Sequence, residues 1–223
     1  MDKFSRYTSV IALVIAVLAV IIPYVQSNKQ FEAQQTERLN IVFNSKVHAP
    51  LVLTKHSFGE RGWVVQMPWK ITLSNVGNRP LSITDYDISQ GKNLGNTYFT
   101  GIDGGLIEHD HAQVKLPIKL DVGESVSIYA YLGAVIPVQN YKHLSCISEG
   151  GSVSDRAATA ILAKHGTDLF GNKVVYQEFE GGGYHVEFLE VDKSPTFWLT
   201  FHTGAGNRFV GRTSKYDMSG AAL

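Results

Sequence analysis

The stretch Trp69-Lys-Ile-Thr-Leu-Ser-Asn-Val-Gly-Asn-Arg-Pro-Leu-Ser-Ile83 indicates how this chain folds. Trp69, Ile71 and Leu73 alternate with polar residues, which is the pattern of a β-strand with one buried face. The turn-forming residues Asn, Gly, Asn and Pro follow, and the alternation resumes at Leu81. The stretch therefore predicts two strands joined by a tight turn.

Short alternating runs rich in Val, Ile, Thr, Tyr, Phe and Trp continue from Leu39 to the end of the chain. Two further turns, Asp121-Val-Gly-Glu and Gly204-Ala-Gly-Asn, have similar chemistry. Many short strands joined by such turns predict an all-β sandwich or barrel. The predicted strands are residues 39–43, 50–55, 62–67, 69–75, 81–88, 97–102, 112–120, 125–132, 173–179, 184–190, 196–203 and 207–213.

One short helix is predicted to interrupt the strands at residues 154–165. Ser154 is a good N-cap, and Asp155 favours the positive end of the helix dipole. Apolar residues recur at helical spacing behind them, and Gly166 ends the pattern. We expect this helix to pack on the sandwich through a narrow apolar stripe.

The turn after Asn75 and the later run Leu120-Asp-Val-Gly-Glu-Ser-Val-Ser-Ile128 resemble bacterial immunoglobulin-like adhesion and accessory domains. In those domains a strand ending in Asn-x-Gly leads to a Pro-Leu-x-Ile strand, and a Pro-Gly-Glu-Ser-like turn introduces a later one. Val122 stands here where that proline is usual. The resemblance implies an immunoglobulin-like β-sandwich, of the kind that serves as a binding or spacing module in envelope proteins.

The N-terminus predicts a membrane helix, because residues 7–28 contain no charged residue. A run of about 20 residues at about 1.5 Å rise spans roughly 30 Å of hydrocarbon. A cleaved signal peptide is the alternative, since Lys3 and Arg6 form a basic start. No Ala-x-Ala cleavage site follows the run, which favours an uncleaved signal anchor.

The flanking charges predict that the N-terminus lies in the cytoplasm and the rest of the chain lies outside it. This arrangement corresponds to a single-pass protein of a bacterial inner membrane, with its C-terminal domain extracytoplasmic, in the periplasm. The predicted domains are residues 1–28, a cytoplasmic tip and anchor; 29–38, a helical stalk; and 39–223, the β-sandwich.

The overall charge argues against nucleic acid as a partner. The chain of 223 residues has 20 Lys and Arg against 20 Asp and Glu, so it has no basic field to bind a polyanion. A lone cysteine, Cys146, excludes an intramolecular disulfide. We therefore expect the fold to be held by its hydrophobic core.

The densest set of potential metal ligands is Glu108-His-Asp-His111. On a strand, His109 and His111 would project from one face and begin a zinc or copper site, but the sequence nominates no further ligands. The alternative is a polar loop, so we predict neither a metal nor another cofactor. Cys146 has His143 nearby, yet no feature of the sequence indicates a lowered thiol pKa.

Catalytic motifs are absent from the sequence, among them the nucleophile elbow, the P-loop and the zincin signature. The alternating carboxylates Asp85 and Asp87, and Glu178 and Glu180, are typical of solvent-facing strand positions. A paired-carboxylate hydrolase stays open, because such pairs are recognised only in three dimensions.

An interaction surface is predicted at Trp198, Gly181, Gly182 and Gly183, together with the helix at 154–165. Phe197 and its alternating neighbours already occupy the opposite face of the Trp198 strand. An exposed Trp198 would mark a contact surface, and the alternative is that the helix covers it.

The sequence as a whole predicts an anchored extracytoplasmic interaction or accessory module without catalysis of its own. Its expected partners are the membrane, through residues 7–28, and another envelope protein. An extracytoplasmic ligand sensor is the first alternative and an anchored envelope hydrolase the second. Some six residues precede the anchor, which is too short for a cytoplasmic signalling domain and argues against a sensor.

Overall fold

The computed structural model of the chain describes residues 17–19, 21–27, 36–45, 49–109 and 112–216. Residues 17–19 and 21–27 are helical. The cytoplasmic tip and the rest of the predicted anchor, residues 1–16, 20 and 28, lie outside the described residues. Within the described part of the chain, no helix combines the length and the apolar character needed to cross a membrane.

The described residues are predominantly β-structure, as the alternating sequence predicts. The strands are β1 (Leu39–Asn44), β2 (Leu51–Ser57), β3 (Trp63–Asn75), β4 (Leu81–Gln90), β5 (Asp103–Ile107), β6 (Ile118–Leu120), β7 (Ser125–Ile136), β8 (Ser152–Val153), β9 (Val174–Glu178), β10 (Tyr184–Phe188), β11 (Thr196–Thr203) and β12 (Arg208–Ser214). The α-helices are α1 (Val138–Ile147) and α2 (Asp155–Lys164), and a 3-10 turn spans Gly59–Arg61.

The strands form three antiparallel sheets. The first sheet has the order β5-β7-β3-β2-β8, and β1 also pairs with β3. The second sheet has the order β12-β11-β4-β6, and β9 and β10 form a two-stranded sheet of their own. Strand β3 is the centre of the first sheet, because β7 pairs with nearly its whole length, from Trp63 to Ser74, while β2 and β1 share its other edge.

The core lies between the first and second sheets. Trp69 of β3 contacts Phe197 of β11 edge to face, with ring centroids 6.5 Å apart. Ile71 and Leu73 are fully buried beside Trp69, and Phe201 is fully buried on the facing sheet. The alternation in the sequence thus correctly identified the buried faces of both strands, and the two sheets form a sandwich.

Two predicted strands are wrong or too long. In the predicted strand 97–102, Thr97 forms only an isolated bridge with Gln90. Residues 99–102 form a turn in which the Ile102 N–H donates to the Phe99 carbonyl, and Gly101 has a φ of +89° that interrupts an extended run. The neighbouring strand is β5, which starts at Asp103. Of the predicted strand 112–120, only β6 is regular, because Pro117 immediately before it has no N–H to donate to a ladder.

A second helix is present besides the predicted one. Helix α1 begins after Pro137 without a side-chain cap, and only Asn140 and Leu144 are buried along it. Its residues include Val, Asn, Tyr, Ser and Cys, which are weak helix formers. The prediction of a single helix is therefore wrong, because packing rather than local propensity stabilises α1.

The residues that precede the sandwich are bound to one of its turns. The predicted helical stalk 29–38 lies outside the described residues up to position 35, and its last three residues are not helical. The Thr36 N–H donates to Asn78 Oδ1 at 2.7 Å, and the Asn78 N–H donates back to the Thr36 carbonyl. These bonds oppose a helix at residues 36–38, because they occupy backbone groups that a helix would use.

Glu37 fixes the same segment from its side chain. Its buried carboxylate accepts hydrogen bonds from Thr203 Oγ1 at 2.6 Å, Asn207 Nδ2 at 2.9 Å and the Arg79 guanidinium at 2.9 Å. Burial raises the pKa of this carboxyl, but the bonds from Thr203, Asn207 and Arg79 lower it by more, so the net pKa lies below its ordinary value. The entry to the sandwich is therefore held by two of its turns.

Candidate interaction site

Helix α2 starts as its sequence predicts. The Ser154 hydroxyl accepts a hydrogen bond from the Ala157 N–H at 3.2 Å, which is the expected N-cap. Gly166 follows the helix with a φ of +75°, which a glycine adopts without strain. The buried residues of α2 are Ala158, Leu162 and Ala163.

The hairpin of β9 and β10 lies against α2. Tyr184 Oη donates to the Arg156 carbonyl at 3.4 Å, and the Lys164 ammonium lies 3.3 Å from the Glu178 carboxylate and 5.4 Å from the Tyr176 ring centroid. A lone two-stranded hairpin is only marginally stable in water. These contacts with α2 therefore hold the hairpin in place.

A cavity of about 80 Å³ lies between α2, the hairpin and the residues after β12. Its walls are mostly apolar and include Ala158, Leu162, Val186 and Phe188. Thr159 and Thr167 also line it. A cavity that binds benzene has a volume of about 150 Å³, so this one fits only a small apolar group.

The polar wall of the cavity is built around Asp168. One oxygen of this buried carboxylate accepts from the backbone N–H groups of Phe170 and Asn172, and the other accepts from Asn172 Nδ2 and Tyr216 Oη. Burial and the adjacent Asp168 raise the pKa of the Tyr216 hydroxyl well above its usual range. Because Asp168 accepts four hydrogen bonds, it stabilises the loop between α2 and β9 and ties it to Tyr216.

An ion pair lines the same cavity. Lys215 Nζ lies 2.6 Å from Asp155 Oδ1, in the first turn of α2. The two charges cancel, and both residues also line a second cavity of about 10 Å³, beside Trp69. The pair therefore contributes no net charge to the wall that the two cavities share.

Apolar side chains are exposed along the hairpin segment, defined here as residues 174–191. Val175, Phe179 and Phe188 are between 40 and 51% exposed, and Leu189 is 61% exposed. Val191 follows at 43%. The register pairs Val175 with Glu187 and Phe188 with Val174, so Val175 and Phe188 lie on opposite faces of the hairpin. A hairpin that exposes apolar residues on both faces is a candidate contact surface.

The three predicted glycines lie at the tip of this hairpin. Gly181, Gly182 and Gly183 form the turn between β9 and β10, and all three are exposed. The Gly182 N–H donates to the Phe179 carbonyl at 3.1 Å, and the φ angles of Gly181 and Gly182 are positive. The structure therefore joins the glycines to the exposed apolar residues and to α2.

Trp198 lies apart from that group, on the second sheet. It is half-buried, its Nε1 donates to the Gly91 carbonyl at 2.9 Å, and the Arg212 guanidinium lies 5.7 Å from its ring. These contacts come from the loop after β4 and from β12, whereas α2 contributes none of them. The predicted strand face is correct, because Phe197, Leu199 and Phe201 are fully buried on the other side.

Of the candidate metal ligands in Glu108-His-Asp-His111, the structure describes Glu108 and His109. His109 is exposed in a turn after β5, where its ring meets the Tyr129 ring edge to face at 5.6 Å. Its predicted companion His111 lies outside the described residues. Among the residues that the structure describes, no group of three or more His, Cys, Asp and Glu side chains is placed to hold a metal ion.

The thiol and carboxylate candidates are placed at the surface. Cys146 is exposed on α1, and the neighbouring His143 ring stacks on His165 with centroids 3.7 Å apart. Asp85 and Asp87 are exposed on β4, and Asp87 Oδ2 accepts a hydrogen bond of 2.8 Å from His202 Nε2. Glu178 and Glu180 are also exposed, so both carboxylate pairs face solvent as predicted.

Sequence reasoning missed Asp168, Lys215 and Tyr216. The run Asp168-Leu-Phe-Gly-Asn172 has the Asp, Gly and Asn that turns favour, which is the one local signal for this loop. Tyr216 lies 48 positions away from Asp168 in the chain, so no local pattern connects them. Comparison of the chain with protein-family models, with curated proteins and with solved structures finds no match.

Proposed function

We propose that this chain is an interaction or accessory module of a bacterial cell envelope. It is anchored by an N-terminal membrane helix at residues 7–28, and residues 39–223 form an extracytoplasmic, immunoglobulin-like β-sandwich. The module has no catalysis of its own, and its partner is another envelope protein. The observation that carries the proposal is the exposed apolar surface of the hairpin segment, residues 174–191.

The hairpin segment supports a protein partner for two reasons. First, no other strand of the described residues pairs with the hairpin of β9 and β10, and such strand edges with exposed apolar side chains are where protein segments commonly add to a fold. Second, the cavity beneath it holds only about 80 Å³, which suits one side chain better than a metabolite.

The polar groups at the cavity support a binding role over a hydrolase. Asp168 accepts four hydrogen bonds, and Asp155 is paired with Lys215. A general base needs a lone pair free for the proton that it removes. The Asp168 carboxylate has no such lone pair, because its four hydrogen bonds hold the loop after α2 and Tyr216.

The immunoglobulin-like assignment draws its support from two antiparallel sheets packed face to face. The two turns that carry the resemblance also bond to one another. The Gly123 N–H donates to the Asn75 carbonyl at 3.0 Å, and the Asn75 N–H donates to the Glu124 carbonyl at 2.9 Å. These bonds join the turn after β3 to the turn before β7.

Photo-crosslinking tests the partner surface. A benzoylphenylalanine placed at Leu189, which is 61% exposed, should crosslink the full-length chain in native membranes to another envelope protein. The matched control is Val122, which is 54% exposed on the turn before β7. Equal crosslinking at both positions, or none at Leu189, would contradict the proposed surface.

The lone cysteine tests the location. Cys146 is exposed, so a membrane-impermeant maleimide should label it in intact spheroplasts if the sandwich lies outside the cytoplasm. The Cys146→Ser variant is the control for specificity. A membrane-permeant maleimide measures the total amount of Cys146 that can be labelled. Labelling only by the permeant reagent would place the domain in the cytoplasm and overturn the proposed orientation.

A further inference from the structure

The outer edge of β10 presents backbone groups that point away from β9. The Leu189 N–H donates to the Lys173 carbonyl, directly opposite in the register, at 3.1 Å. Bonded and non-bonded pairs alternate along antiparallel strands, so the odd-numbered residues of β10 bond across the hairpin. The N–H and C=O groups of the even-numbered residues therefore face outward. They form the β10 edge, defined by the backbone of Tyr184, Val186 and Phe188.

The β10 edge is the open side of the hairpin. In the part of the chain that the structure describes, β10 pairs with β9 and with no other strand. The outer side of β9 is partly covered, because the Val174 N–H donates to the Gly166 carbonyl at 3.1 Å and the Lys164 ammonium lies over the Tyr176 ring. An open strand edge can pair with a further strand. A third strand would also stabilise a hairpin that is marginal as two strands.

The charges along the hairpin segment have one sign. The segment contains four glutamates and no Lys or Arg, although the whole chain has 20 Lys and Arg against 20 Asp and Glu. One of the four, Glu178, lies 3.3 Å from the Lys164 ammonium. Glu180, Glu187 and Glu190 are exposed and form no ion pair with a described residue. A strand that adds here is therefore stabilised by Lys or Arg side chains.

The pleat of β10 determines which partner residues meet which side chains. Val186 and Phe188 line the cavity on the α2 side, so His185, Glu187 and Leu189 project from the other face. A strand beside β10 has one residue opposite Glu187 and another, two positions along, opposite Leu189. Opposite charges stabilise such cross-strand pairs, and so do apolar contacts. The edge therefore fits a basic residue opposite Glu187 and apolar residues around it.

The same charges argue against two other occupants. In a second copy of this chain, β10 would bring its own glutamates to the edge, and like charges opposite one another destabilise a strand pair. Residues 217–223 follow Tyr216, whose ring lies 5.3 Å from that of Phe188. They contain one Asp and no Lys or Arg. Neither occupant supplies positive charge.

We propose that the β10 edge binds an extended segment of a protein partner in which Lys or Arg alternates with apolar residues. The segment adds as a third, antiparallel strand, with a basic side chain opposite Glu187. Apolar residues of the partner cover the exposed apolar residues of the hairpin segment, Val175 among them. This inference rests on the proposed function, because it identifies the chemistry that the interaction module recognises.

Peptide binding tests the charge and the backbone separately. The probe is the end-blocked, fluorescein-labelled peptide Lys-Leu-Val-Arg-Val-Lys, added to the full-length chain in mild nonionic detergent and followed by fluorescence anisotropy. It should bind saturably, and the peptide with Glu in place of Lys and Arg should bind at least roughly tenfold more weakly. N-methylation of both Val residues should abolish binding, because the N–H groups that face Val186 and Phe188 are lost.

A charge exchange tests the position of Glu187. Glu187→Lys should weaken binding of the basic peptide at least roughly tenfold and strengthen binding of the Glu peptide. The gain for the Glu peptide distinguishes exchanged charge from a misfolded variant, which would bind neither. Glu60→Lys is the matched control, because Glu60 is exposed on the 3-10 turn and should leave both affinities unchanged.

Amide hydrogen exchange, measured by NMR on the full-length chain, locates the bound peptide. In the free chain the Val186 and Phe188 amides should exchange as unbonded groups, whereas the Glu187 amide is bonded across the hairpin and should exchange more slowly. A saturating amount of the basic peptide should slow exchange at Val186 and Phe188 at least roughly tenfold.

Four results would overturn the inference: no saturable binding, equal binding of the basic and Glu peptides, undiminished binding of the N-methylated peptide, and unchanged exchange at Val186 and Phe188. A dimer of the free chain that protects the same amides, or competition by a synthetic segment 217–223, would assign the edge to one of those occupants instead. If crosslinking at Leu189 succeeds while the peptide does not bind, this inference fails and the proposed function stands. Peptide binding without any crosslink at Leu189 would retain the strand-addition site and overturn the envelope partner.

Discussion

The side-chain amide of Asn75, at the end of β3, donates a hydrogen bond of 3.1 Å to the backbone carbonyl of Leu120, at the end of β6. The same amide donates to the Arg79 carbonyl at 2.9 Å, and its oxygen accepts from the Gly77 N–H at 3.0 Å. Asn75 is completely buried. One side chain therefore joins the turn after β3 to the turn before β7, and it does so where the chain passes between the two sheets.

Replacing Asn75 by Ala should destabilise the domain by about 2–4 kcal/mol, because it leaves two carbonyls and one N–H without their partners. Asn75→Asp should cost more, since a carboxylate has no donor for the carbonyls of Arg79 and Leu120. Chemical denaturation of the full chain measures both. Asn93→Ala is the control, because Asn93 is exposed. Equal effects at positions 75 and 93 would contradict the assigned role.

The alternation along β3 gives a second prediction. Ile71 is fully buried, so Ile71→Asp places an unpaired charge in the core and should prevent folding. Lys70 is half-buried on the opposite face, and Lys70→Asp should change the free energy of unfolding by less than about 1 kcal/mol. Far-ultraviolet circular dichroism with thermal melting compares the two. Similar losses in both variants would show that the alternation does not define the core face.

The sequence predicted most of this sandwich because burial on one face leaves a period of two that can be read locally. Strand β11 begins and ends where the alternation does, at Thr196 and Thr203. The sequence predicts two strands, 62–67 and 69–75, on either side of Pro68, yet β3 is continuous across it. Pro68 lies where the pairing along one edge passes from β2 to β1, which is information about neighbouring strands that the local sequence does not contain.

The hydrogen bonds accepted by the Glu37 carboxylate predict that the stability of the domain depends on pH in the acid range. The pKa of this carboxyl is lower in the folded state than its ordinary value of about 4.5. Its contribution to stability is therefore fully present above the unfolded pKa and is lost as the pH falls through the folded pKa. At pH 7, Glu37→Gln should be less stable by about 1–3 kcal/mol.

The gap between wild type and Glu37→Gln should then narrow as the pH is lowered below about 4.5. Urea denaturation at a series of pH values measures this. Glu108→Gln is the control, because Glu108 is exposed and lies in the turn after β5. A gap between wild type and Glu37→Gln that stays constant from pH 7 to pH 3 would contradict the assigned ionised state.

The raised pKa of the Tyr216 hydroxyl predicts that the stability of the domain falls as the pH rises in the alkaline range. Burial and Asp168 raise the pKa of its hydroxyl above the ordinary value of about 10, so the stability that it contributes is present below pH 10 and is lost as the pH rises above it. Tyr216→Phe should cost about 1–3 kcal/mol at pH 7, because Asp168 loses one donor. The difference from wild type should shrink above pH 10 in denaturation curves.

The control for Tyr216 is Tyr98→Phe, because Tyr98 is 62% exposed. This change should leave the curves unaltered up to pH 10. An undiminished difference between wild type and Tyr216→Phe at high pH would contradict the bond to Asp168.

The interaction site was harder to predict than the fold because its parts come from distant segments. The glycine turn and α2 gave local signals, since Gly has conformational freedom and Ser154 is a good cap. The cavity walls, however, combine Leu51 of β2 with Phe188 of β10 and with Tyr216. No spacing in the sequence identifies these cavity-lining residues, because they come together only when the sheets and the hairpin have formed.

Two variants distinguish a residue that stabilises the fold from a residue that contacts the partner, and the first of them changes Trp198. Because Trp198 is half-buried and donates to the Gly91 carbonyl, we expect Trp198→Ala to destabilise the domain by about 1–3 kcal/mol. Its contacts are with Gly91 and Arg212 rather than with the hairpin segment. Crosslinking from Leu189 should therefore be unchanged at a temperature where the variant stays folded.

The matched change is Val175→Asp, on the exposed face of β9, where the side chain is 45% exposed. It should reduce crosslinking from Leu189 several-fold and leave the melting temperature nearly unchanged, because a charge at a contact surface repels an apolar partner without disturbing the core. Thermal melting and crosslinking yield together distinguish the two residues. If Trp198→Ala lowers the yield while the melting temperature holds, Trp198 belongs to the contact surface, and the partner reaches across to the second sheet.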